Sequence, residues 1–206
     1  MIFWGNGLPA AAESIRFPNK ETPIIVDKSA ARVLIYTEVN PDGLKKANPH
    51  WGVVYQGGKL KDKGILIAYC SPSDFYQALI ELGARPGDNL TPSSMGEYVK
   101  GSPLKVTAVL PGLNHELYLD QIFDNSSRKS FQIRFGGNRD RAVKEKTGCI
   151  TCLESCPVGI TSNAAYPALS SFKRLISPNS RFKGKPDVLP NREGTPVILI
   201  YRLEQP

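Results

Sequence analysis

Val197-Ile198-Leu199-Ile200-Tyr201 (VILIY) is an unbroken apolar run, β-branched and aromatic at most positions, almost at the end of the chain. Such a run reads as a strand buried on both faces. A buried strand that late implies that the chain returns to its main sheet, so whatever precedes it belongs to the same domain. Its natural partner is Arg32–Val39 (RVLIYTEV), which alternates more openly and ends in the turn residues Asn40-Pro41-Asp42-Gly43. Trp51–Tyr55 (WGVVY), Ile65–Cys70 (ILIAYC), Leu104–Leu110 (LKVTAVL), Glu116–Leu119 and Phe131–Phe135 (FQIRF) supply further strands, and Ile24–Val26 a short one. The clearest helix starts at Ser71-Pro72-Ser73-Asp74, where a serine cap precedes an early proline. Phe75, Ala78, Leu79 and Leu82 then recur at helical spacing, and Gly83 supplies the stop. The expected class is α+β, mostly antiparallel β with one clear helix and a cysteine-bearing loop region. The expected division is an extended N-terminal arm at 1–23 and a single domain at 24–206, carrying a cysteine-loop insertion at about 139–193.

The chain has 206 residues, 41% hydrophobic and 22% charged, with mean hydropathy −0.24. This balance disfavours both a disordered chain and a membrane-spanning one. Gly and Pro together number 35, too many for a helical bundle. The net charge of +7 is uneven. Residues 128–192 carry 13 basic and 4 acidic side chains, and the rest of the chain is slightly acidic. A local excess of this kind attracts anionic partners, although solvated basic faces are also ordinary. Residues 1–14 (MIFWGNGLPAAAES) lack charge before Glu13 and end their apolar part in three alanines, like the tail of a secretory signal without its basic start. Export and a cytoplasmic location are evenly balanced on this reading. An uncharged arm of this composition must pack on its own domain or on a second copy, which leaves a homo-oligomer or filament open.

The chemistry concentrates in Cys149-Ile150-Thr151-Cys152-Leu153-Glu154-Ser155-Cys156-Pro157. The spacing C-x2-C-x3-C-P matches the last three cysteines and the proline of the bacterial ferredoxin run C-x2-C-x2-C-x3-C-P, in which one tight loop grips an iron–sulfur cluster. Lys146 stands where the first cysteine would be. The fourth thiol of the chain is Cys70, at a strand end just before the helix cap, where the helix dipole favours a thiolate. Cys70, Cys149, Cys152 and Cys156 are therefore the expected ligands of a 4Fe-4S cluster. Two other chemistries stay open. Four cysteines make two disulfides in three connectivities, a staple suited to an exported protein. Zinc could take three cysteines with His50 or His115. Both histidines sit by turns and read as solvent-facing loop residues.

Lys63–Asn89 (KGILIAYCSPSDFYQALIELGARPGDN), the hairpin of Leu104–Ile122, Arg134–Asn138 (RFGGN) and Gly148–Pro167 (GCITCLESCPVGITSNAAYP) resemble the YdjY-domain family of ferredoxin-like proteins. The resemblance covers about 51–166. It implies an iron–sulfur site and no defined reaction.

Little else in the chain carries chemistry. No G-x-S-x-G elbow, Walker A or G-x-G-x-x-G occurs. Gly136-Gly137-Asn138 reads as a strand-end turn that could double as an anion nest. Basic and aromatic residues interleave at 171–174 and 181–183, but no RRM, KH or helix-turn-helix pattern accompanies them, so nucleic acid is not an expected partner. The expected function is electron transfer with an unidentified redox partner, by a carrier rather than an enzyme. The alternative is an exported, disulfide-stapled structural protein that assembles through its N-terminal arm.

Overall fold

The computed structural model describes residues 16–45, 48–125, 128–173 and 182–204. Its strands in chain order are β1 (Ile24–Asp27), β2 (Arg32–Val39), β3 (Trp51–Tyr55), β4 (Leu66–Ala68), β5 (Pro103–Val109), β6 (Leu117–Tyr118), β7 (Phe123–Asn125), β8 (Ile133–Phe135), β9 (Cys149–Cys152), β10 (Thr161–Asn163), β11 (Phe182–Gly184) and β12 (Pro196–Leu203). Helices α1 (Pro41–Lys45), α2 (Pro72–Glu81), α3 (Leu119–Ile122), α4 (Arg139–Glu145) and α5 (Ser170–Lys173) are four to ten residues long.

Hydrogen bonding runs β2-β12-β5-β8-β10-β9-β3-β4, and β4 then pairs with β2. That last pairing, Thr37 with Ala68, Glu38 with Ile67 and Val39 with Leu66, closes eight strands into a barrel. The expected α+β class is thereby corrected. The protein is mostly β, and its short helices decorate a closed wall instead of forming a layer against an open sheet. Closure removes the long edges that an open sheet would have to protect. β1 and β6 fill what remains, β1 beside Arg32–Ile35 and β6 beside Thr107 and Ala108. Ile24–Val26 thus pairs within its own chain. The cysteine-bearing loop region is corrected as well: Cys149–Cys152 is a wall strand, and β10 lies parallel to it. The expectations for residues 1–12 lie outside the described residues.

β12 forms long antiparallel ladders with both β2 and β5, as its apolar run requires. Val33, Ile35, Val197, Leu199 and Tyr201 join the main core, while Leu34, Ile198 and Ile200 form a smaller cluster on the opposite face. Period-two alternation accounts for this division. Inside, Tyr201 Oη lies 2.7 Å from Thr151 Oγ1, which lies 2.8 Å from Thr161 Oγ1. A buried hydroxyl chain therefore ties β12 to the cysteine strand and its neighbour.

α2 begins as its sequence dictates. Ser71 Oγ accepts from the Asp74 amide, and Pro72 opens the first turn. Phe75 packs edge-on to Tyr201 with ring centroids 4.8 Å apart, and Leu79 is fully buried. Leu79→Ala is expected to cost ~2–5 kcal/mol, because the fixed barrel wall cannot collapse into the cavity. Denaturant unfolding checks this, and an unchanged midpoint would count against the packing. Among the described residues, no helix is long and apolar enough to cross a membrane.

Candidate metal centre

The antiparallel ladder of β3 with β9 sets Trp51 opposite Cys152 and Val54 opposite Cys149, with a bulge between. It brings the turn before β3 beside the cysteines. Asn48 shapes that turn by accepting from the Trp51 amide at 2.6 Å, and the Leu153 amide donates to the His50 carbonyl at 2.7 Å. His50 is consequently buried, 5% exposed, in place of the solvent-facing position expected of it. His115 is exposed.

One ligand atom each from His50, Cys152 and Cys156 lies within 4.8 Å of the others, a group able to hold a metal ion. Cys149 packs with Cys152 and Cys156 in the same buried cluster. Cys70 does not join them: it lies in the main core, where burial pushes its thiol up to about 12. All four cysteines are unbridged.

Electrostatics in the cluster favour a thiolate. A hydrogen bond from Cys152 and the neighbouring His50 hold the Cys156 thiol well below its usual range, against the effect of burial. Cys152 moves the other way, because it donates toward Cys149 and Cys156 and is itself buried. Burial opposes a charge on His50, yet Cys156 and Glu154 outweigh it and raise the imidazolium to about 10. His50 Nδ1 stands 2.9 Å from Glu154 Oε1, off the line of an ideal hydrogen bond. Burial also opposes the Glu154 charge, but His50 and the Ser170 and Ser171 hydroxyls hold its carboxyl below the ordinary range.

The segment after Cys152 is held by polar side chains from distant elements. Asn138 Nδ2 donates to the carbonyls of Cys156 and Gly159, each at 3.1 Å. Ser155 Oγ accepts from the Val99 amide at 2.9 Å, and Asn163 Nδ2 donates to the Leu153 carbonyl at 3.0 Å. Gly159 has to be glycine. A Cβ there would stand 2.9 Å from Cys152 Sγ and 3.0 Å from Ser162 Oγ. Gly159→Ala is therefore expected to cost about 1–3 kcal/mol by overpacking, read as a lower denaturant midpoint, and an unchanged midpoint would refute so tight an approach. Ser162 Oγ is fully buried and lacks a hydrogen-bond partner among the described residues. A buried hydroxyl without an acceptor is costly. Ser162 is paired with Cys152 across the parallel β9–β10 ladder.

The YdjY domain family matches residues 24–202, from β1 through most of β12. The chain belongs to the YdjY-domain family. The match extends well beyond the cysteine region and takes in every strand of the barrel wall. The chain is 36% identical over 169 residues to "Uncharacterized protein YdjY" of Escherichia coli (strain K12), covering 82% of this chain and 73% of that protein. No solved structure matches.

The three clustered cysteines are legible in the sequence, His50 only as one of two alternative zinc ligands, and the roles of Glu154 and Asn138 not at all. His50 lies about a hundred residues from Cys152, so no local spacing could reveal it. Glu154, between two of the cysteines, is visible in sequence but has no motif to mark it. Asn138 belongs to the Gly-Gly-Asn stretch, which serves here as a clamp on the cysteine segment.

Proposed function

We propose that this protein binds a single thiophilic metal ion through Cys152, Cys156 and His50, with Cys149 completing the set. The observation that carries this is the closeness of the His50, Cys152 and Cys156 donors, within 4.8 Å of one another, with Cys149 packed against the two sulfurs in the same buried cluster. A tetrahedral ion with metal–sulfur bonds of about 2.3 Å and a metal–nitrogen bond of about 2.0 Å gathers its donors over such a span. In a four-iron cluster each thiolate binds a different iron, so the sulfurs stand farther apart. Three cysteines and one histidine make a common structural zinc set, and a donor set made wholly of protein groups favours a closed, structural centre over a catalytic one. In this reading the ion ties β9 and the segment after it to the turn before β3. A metal ion supplies cross-linking strength here, while Asn138 and Gly159 shape the pocket.

The cysteine spacing supports a second reading, an iron–sulfur cluster in an electron carrier. Metal and acid-labile sulfide content of anaerobically purified protein separates the two. One zinc per chain without sulfide supports the single ion. Iron with matching sulfide, and a brown protein, supports the cluster. Protein free of both, still fully folded, refutes both.

A further inference from the structure

We infer that Glu154 is a positioning residue for this centre, turning His50 so that Nε2 is the atom presented to the cysteine sulfurs. The inference rests on the metal-site reading above. His50 Nδ1 lies 2.9 Å from Glu154 Oε1, and both side chains are almost wholly buried. An imidazole has two nitrogens, and the one that faces a carboxylate carries the proton. The other is left as the ligand atom. The carboxylate is itself fixed. Its Oε2 accepts from Ser170 Oγ at 2.7 Å and from the Ser171 amide at 2.8 Å, both at the start of α5. Ser171 Oγ also lies 2.7 Å from the carbonyl of Pro49, the residue before His50. α5, the glutamate and the histidine turn are therefore held together, with the Nδ1 edge of the ring set against the carboxylate. Carboxylate partners of metal-bound histidines fix the tautomer and raise ligand basicity, and their loss costs 10–100-fold in metal affinity.

The same three groups in sequence, the Cys156 thiol, the His50 imidazole and the Glu154 carboxylate, would also suit a nucleophilic cysteine. Cys156 and His50 are 3% and 5% exposed, which favours a closed ligand set over attack on a substrate.

Cobalt(II) titration of the full chain, with a competing chelator, tests the inference. Wild-type protein should develop a thiolate-to-cobalt absorption band. Glu154→Ala should bind cobalt about 10–100-fold more weakly, and Glu154→Gln should fall between, because its carbonyl can still accept from Nδ1–H. Glu116→Gln, at the surface pair with Arg202, should bind as the wild type does. Equal affinity in all four proteins would overturn the role of Glu154 and leave the metal site standing. Absence of the band in the wild type would overturn the metal site, and the inference with it. Nitrogen-15 NMR of His50 in the zinc-loaded wild type is independent of any variant's folding. It should find the proton on Nδ1 and the metal on Nε2, and metal on Nδ1 would refute the inference.

Discussion

Cys156→Ser is expected to abolish tight metal binding and, with it, the metal-dependent part of the protein's thermal stability. Cys156 is the thiol of the cluster whose charged form is favoured, by hydrogen bonds from Cys152 and His50. Losing a direct ligand should weaken binding well beyond the 10–100-fold that an outer partner costs. A ligand present at 1,000 times its Kd stabilises the folded state by about 4 kcal/mol. For a chain of this length each kcal/mol moves Tm by roughly 2–4 °C. Adding zinc to the apo wild type should therefore raise Tm by roughly 8–16 °C, and Cys156→Ser should show almost none of that shift. An equal shift in the variant would mean that the metal binds elsewhere.

Asn138→Ala is expected to be the most damaging change outside the cysteines. Its side chain satisfies the Cys156 and Gly159 carbonyls, and its amide donates to Asp88 Oδ1 at 2.6 Å. Its backbone is left-handed, with φ 55°, a conformation that asparagine tolerates and alanine resists. Two buried carbonyls without donors, each costing about 1–3 kcal/mol, place the loss at roughly 2–6 kcal/mol. Metal affinity should fall together with stability, because the segment that carries Cys156 loses its clamp. Asn138→Gly separates the two causes: it relieves the backbone while still removing the side chain. If it unfolds at the wild-type midpoint, the hydrogen bonds are not what holds the segment.

Much of the wall was legible in the sequence. Arg32–Val39 and Trp51–Tyr55 are strands at the expected bounds, and the late apolar run is β12, paired on both sides. Closure was not legible, because it depends on β4 pairing with β3 on one side and β2 on the other. Such long-range pairing leaves no local pattern. The cysteine strand was hidden for a different reason. Cys-Ile-Thr-Cys reads as ligands in a loop, yet cysteine and threonine also pack well in a buried strand, and all four residues are buried. The same long-range ladder that turned the loop into a strand delivered His50 to the sulfurs. Closure through β4 therefore accounts for the fold class, and the misread cysteine segment for a ligand set that had Cys70 in place of His50.

X-ray absorption at the edge of the bound metal reads the ligand set of the ion itself. Three sulfurs at about 2.3 Å and one nitrogen at about 2.0–2.1 Å are expected around the ion, with no second metal nearby. A shell of oxygen and nitrogen alone, or strong metal–metal scattering, would contradict the single-ion centre.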